Sequence, residues 1–152
     1  MNTLPLQLQL ESILVNAPLC FKIKVNNIVY YDREIKTHQT SISVDIPDSR
    51  TRNACSLSLE LYGKTDNNTV INNGIMVETA SITIKSLCID DIPLITNKLI
   101  NDSILGRMKY IHDNNGRTSE MIEPFTRNMG CNGVQLMDMY TPLHIWLYET
   151  VY

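Results

Sequence analysis

The sequence predicts a mainly β fold, two antiparallel sheets packed face to face as a jelly-roll-like sandwich with one short helix. Three observations predict it. Apolar and polar residues alternate with period two in at least four separated segments. Turn-forming Asn, Asp and Gly punctuate these segments at hairpin spacing. Apolar residues at helical spacing occur in one short stretch, around Leu94 to Ile100.

In chain order, Leu4, Leu6, Leu8 and Leu10 alternate with Pro5, Gln7 and Gln9. Pro5 lacks an N–H for a central ladder, so residues 1–12 are expected to form an edge strand or a docking arm, with the four leucines as its partner contacts. Phe21, Ile23 and Val25 repeat the alternation, and Asn26–Asn27 turns the chain into Ile28 to Tyr31, because Asn tolerates the left-handed backbone of a two-residue turn. Ile42, Val44 and Ile46 form a strand stopped by Pro47. Leu57, Leu59 and Leu61, in phase with Cys55, make one apolar face, and Ser56, Ser58 and Glu60 make the opposite, wet one. An Asn-rich excursion from Asp66 to Gly74 reads as a long loop or a wide hairpin tip.

Ile82 and Ile84 continue the core pattern, and the phase slips before Leu87, which predicts a bulge or turn near Ser86. Asp91 is placed to cap a short helix with Pro93 in its first turn and Leu94, Ile95, Leu99 and Ile100 on one face. Met108 to Ile111 is a short strand, followed by a turn at Asn115 and Gly116. The glycines of Asn128 to Gly133 mark a tight backbone passage into a last pair of strands. In the second of these, Ile145 and Leu147 are assigned to the core, and His144, Trp146 and Tyr148 to the other face.

At 152 residues the chain is the size of one domain, 1–152, able to bury roughly two-thirds of its unfolded surface. Charged residues are only 19% of it, so much of the surface is amide and hydroxyl, which favours contact with a partner over solvation by ions. A formal net charge of −3 with no Lys/Arg run argues against nucleic acid. Apolar stretches such as 12–21 are far shorter than the about 20 residues of a membrane span, and the N-terminus lacks a basic segment before its leucines, so synthesis in the cytoplasm is expected. Cys20, Cys55, Cys88 and Cys131 have no zinc-type spacing and read as free thiols.

Catalytic patterns are missing. His38, His112 and His144 are dispersed, no nucleophile-elbow motif occurs, and neighbouring Asp90 and Asp91 would point to opposite sides of a strand. No enzyme activity, metal or cofactor is expected. Aromatic residues suited to sugar stacking are Trp146, Tyr148, Tyr140 and Tyr62, with Asp66, Asn67 and Asn72 as loop groups able to bond sugar hydroxyls.

Asn128-Met-Gly-Cys-Asn-Gly133, then Thr141-Pro-Leu-His-Ile-Trp-Leu-Tyr-Glu149, resembles the closing portion of small β-sandwich proteins of contractile-tailed, cyanophage-like marine phages. The run from Ala80 to Ile92 is similar to their mid-chain strand and Asp-rich turn. The resemblance implies a phage-encoded sandwich, carbohydrate-binding-module-like in outline. The leading expectation is therefore a non-enzymatic virion structural protein that decorates or joins capsid or tail components, through other virion proteins or self-association. The alternative is a carbohydrate-binding module for host attachment. Neither implies a catalytic residue.

Overall fold

The computed structural model describes residues 2–96, 104, 106–113 and 120–151. Its first strand, β1 (Asn2–Ile13), runs between two neighbours. On one side it pairs antiparallel with β4 (Gln39–Asp48), and on the other with β8 (Ser81–Ile89). Leu6, Leu8 and Leu10 are buried in the core and Leu4 packs against it. The expectation of a docking arm or edge strand is corrected: the leucines are consumed within the fold. Pro5 is tolerated in this interior strand because it sits just past the end of β8 pairing. Its carbonyl accepts from the Asp90 N–H at 2.8 Å, so its nitrogen side lies on that same edge and no β4 hydrogen bond is lost.

Three tight turns share one chemistry. β2 (Leu19–Val25) and β3 (Ile28–Ile35) join at Asn26–Asn27, with φ of 51° and 67°. β6 (Thr69–Asn72) and β7 (Ile75–Thr79) join at Asn73–Gly74, and β8 and β9 (Ile92–Ile95) at Asp90–Asp91, all four turn residues again at positive φ. Two successive left-handed residues match the strand twist, and Asn, Asp and Gly occupy them at least cost. This overturns the helix expected from Asp91. Asp91 closes a hairpin, and Leu94 and Ile95 are buried strand residues. The rest of that expected helix, 97–100, and the turn at Asn115 and Gly116 lie outside the described residues.

One sheet has the order β12–β8–β1–β4, with β9 also on β8 and β12 spanning Asn128–Met129. The second is six-stranded, with β5 (Asn53–Tyr62), β10 (Met108–His112), β11 (Met121–Pro124) and β13 (Gly133–Thr141) in the order β11–β10–β13–β5–β2–β3. Among the described residues, β6 and β7 pair only with each other. The inner faces meet in one core: Ile82, Ile84, Leu87 and Ile89 from the first sheet, Phe21, Ile23, Val25, Leu57, Leu59 and Leu61 from the second. Each such side chain contributes about 1.5–3 kcal/mol by leaving water. The expected slip near Ser86 is a bulge at Lys85, since Gln9 pairs with Ser86 and Leu10 with Ile84.

Residues 143–147 form no strand. They open α1 (Leu143–Val151). Leu143, Trp146, Leu147 and Thr150 recur at helical spacing and are buried, and Ile145 is 39% exposed rather than core. The Pro142 carbonyl accepts from the Ile145 and Trp146 N–H groups, and the Asp48 carboxylate accepts from Leu143 N–H at 2.8 Å. The sandwich is thus closed by a helix packed on β13.

Candidate functional site

The six-stranded sheet turns its second face outward, and the site is built from the residues that the core does not take. Along β5 these are Ala54, Ser56, Ser58, Glu60 and Tyr62, out of phase with the buried leucines. Their cross-strand neighbours are larger: Lys22 and Lys24 from β2, and Val134, Leu136 and Tyr140 from β13. Small side chains on a central strand between taller ones make a furrow, floored by Ser56 and Ser58. Its deep end is a trough of about 600 Å³ lined by Lys24, Ser58, Glu60, Tyr62, Asn132 and Leu136, with the Asn27 turn, His112 and Asp113 at the margin.

Four charged side chains along the furrow have partners. Lys24 Nζ is 3.7 Å from Glu60. Lys22 Nζ stands 4.6 Å from the Tyr62 ring centroid, and the Tyr62 hydroxyl donates to Asp32. That hydrogen bond is the first cause, ahead of desolvation, that pushes the Tyr62 phenol up to about 12. At the other end of the face the Arg52 guanidinium lies 4.2 Å over the Tyr140 ring, and the Tyr140 hydroxyl donates to Glu149.

The sequence-chosen aromatics are dispersed by the fold. Tyr62 lines the trough, and Tyr140 sits at the far end of the same face. Trp146 is wholly buried on the inner side of α1 and offers no platform, and Tyr148 is 71% exposed on the same helix. The expected common face of Trp146 and Tyr148 belongs to a strand; in a helix, residues two apart diverge. Asp66 and Asn67 lie in a 3₁₀ turn (Asp66–Asn68), and Asn72 ends β6; none of the three lines the trough. Lys24, Glu60, Ser58 and Asn132 are among the lining residues that sequence reasoning did not choose. The wet face of β5 was the signal for Ser58 and Glu60.

Several eye-catching groups serve the frame. Asn68 is buried: its amide donates to the Val15 and Ala17 carbonyls, and its oxygen accepts from Thr65 N–H. Asn132 clasps the Lys64 backbone in both directions, and Lys64 Nζ donates to Thr79 and to the Gly130 carbonyl, with burial lowering its pKa. Gly133 is obligatory where β13 meets β10, since a Cβ there would fall 2.5 Å from the Ile111 carbonyl oxygen. His112 Nε2 lies 2.9 Å from Glu123 and the ring stacks on Tyr110. Burial pushes the Cys55 and Cys88 thiols up, away from reactive thiolates. Among the described residues, no three His, Cys, Asp or Glu gather to hold a metal ion, and no helix is long and apolar enough to cross a membrane.

No protein-family model and no curated protein sequence matches the chain. Among solved structures it is similar to a chain described as "vCBM60 in complex with galactobiose", with a TM-score of 0.52 over 88% of this chain and 96% of that one, at 5% sequence identity. At that identity the likeness speaks for architecture alone, and what it supports is the two-sheet antiparallel β-sandwich with a short helix.

Proposed function

We propose that this chain is a non-enzymatic carbohydrate-binding module, serving attachment, whose glycan lies on the outer face of the six-stranded sheet. The observation that carries the reading is the furrow along β5: among the described residues, a polar-floored depression with the Tyr62 ring beside the Lys24–Glu60 pair. Sugars present apolar C–H faces to aromatic rings and hydroxyls to charged and amide groups, and such a depression supplies both. The likeness to a sandwich solved with galactobiose supports the choice of ligand class.

The test is calorimetric titration with galactobiose and a panel of neutral oligosaccharides. Tyr62→Ala and Glu60→Gln are expected to weaken binding by about tenfold or more, with the urea midpoint nearly unchanged because both side chains lie outside the core. Absence of binding across the panel, or full affinity in Tyr62→Ala, would overturn the reading.

A second reading, a virion structural protein that joins capsid or tail components, has one structural observation in its favour besides the phage resemblance. The β6–β7 hairpin holds Ile71, Ile75, Met76 and Val77 each at least 60% exposed, an apolar patch of the kind that contacts partners. Mass spectrometry of purified particles is expected to find this chain there; its absence beside detected low-copy structural proteins would end that reading.

A further inference from the structure

We infer that the furrow takes an extended, uncharged oligosaccharide lying along β5, rather than a single terminal sugar. This rests on the glycan-binding reading and adds to it the length and charge of the ligand. Three observations carry it.

The first is the spacing of the aromatics. Tyr140 pairs across from Ala54, at the opposite end of β5 from Tyr62. Eight residues at about 3.3 Å rise separate the two ends by about 26 Å. A disaccharide is far shorter than that and engages one ring only.

The second is the floor. Between the two rings the outward residues of β5 are Ala54, Ser56, Ser58 and Glu60, so the floor is low from Ala54 to Ser58, and Glu60, drawn aside toward Lys24, stands next to Tyr62. The Asn26–Asn27 turn flanks it on one side: Asn26 N–H donates to the Ser56 carbonyl, and the Asn26 side-chain oxygen accepts from Ser56 N–H. Leu136, directly across from Ser58, flanks it on the other.

The third is charge. Lys24 is ion-paired with Glu60, Lys22 lies over the Tyr62 ring, Arg52 and Glu149 both engage Tyr140, and the exposed Asp138 carboxylate stands across from Ser56 in the middle of the path. A face whose cations are already engaged and whose path passes a carboxylate offers no net attraction to an anionic chain, and desolvating the Lys24–Glu60 pair against a charged ligand would be unfavourable. Neutral hydroxyls bond to the paired groups without separating them.

The experiment titrates the intact protein with galactobiose and with neutral galacto-oligosaccharides of increasing length up to the hexasaccharide, and repeats the series with galacturonate oligomers. Affinity is expected to rise on the order of tenfold from disaccharide to hexasaccharide as the second ring is engaged. Tyr140→Ala should remove that gain and leave galactobiose affinity unchanged. Tyr140→Leu, which keeps apolar bulk beside Arg52, should do the same if the aromatic face is what counts, and guards against a folding defect. Equal affinity at every length, with binding intact, would overturn the extended-chain inference and leave the glycan reading standing. Tighter binding of the galacturonate series would overturn the neutral assignment. Absence of binding by every oligomer would instead overturn the glycan reading itself.

Discussion

Asn68 illustrates how a polar residue in an Asn-rich segment becomes structural. Its side chain satisfies the Val15 and Ala17 carbonyls, where the chain bends between β1 and β2, and it accepts a backbone bond from Thr65. Three bonds from one buried amide bind two loops that are remote in sequence. Asn68→Ala takes from the Ala17 carbonyl its side-chain donor and from the Val15 carbonyl one of two donors, and is expected to cost about 1–3 kcal/mol, read as a lower urea midpoint at unchanged m-value. Its neighbours Asp66 and Asn67 are exposed, and substitution of Asp66 is expected to leave that midpoint within error. Nothing in the local sequence distinguishes the three positions. Only the tertiary neighbourhood does.

At the scale of elements, α1 depends on a contact from the other sheet. The Asp48 carboxylate, at the end of β4, accepts from the first N–H of the helix. An acceptor and a negative charge at a helix N-terminus are both favourable, so Asp48→Ala should destabilise the protein by about 0.5–2 kcal/mol, measured by chemical denaturation. The strands were largely legible in sequence because alternation is a property of each strand alone, as in Phe21–Val25 and Cys55–Leu61. Two elements were misread for definite reasons. Leu143, Ile145 and Leu147 fit a period of two over five residues, and only Trp146 and Thr150, buried with Leu143 and Leu147, reveal the helical period. Pro5 marked β1 as peripheral, but its missing donor falls at the Asp90 turn, which no local signal announces. The wet face of β5 was legible as wet, whereas the pairing of Lys24 with Glu60 required the β2–β5 register.

For the whole molecule, the shifted groups give a stability profile with a defined alkaline limit. Burial is the first cause that raises the Tyr110 phenol to about 12, and the Asp32 hydrogen bond is the first cause for Tyr62 at about 12. Unfolded tyrosines titrate near 10. The folded state therefore holds more protons than the unfolded one above pH 10. The associated stability is complete below that pH and is lost as pH rises toward 12. Raised Cys55 and Cys88 thiols act in the same direction from a somewhat lower pH. Unfolding free energy measured in guanidinium should fall steeply between pH 10 and 12. Tyr110→Phe should start lower, having lost its bond to the Cys131 carbonyl, and should fall less steeply. An equal slope in the variant would refute the assignment of the alkaline limit to Tyr110.

The burial of Trp146 turns the molecule into its own optical gauge. It is the chain's one tryptophan, sealed between α1 and the sandwich, away from the furrow. A buried indole is expected to emit at blue-shifted wavelength and to keep that emission when the outer face is occupied. Redshift on heating or in denaturant therefore follows loss of the native state directly, even with saccharide bound. Any stabilisation by ligand becomes a displacement of the same melting curve rather than a change in its baseline.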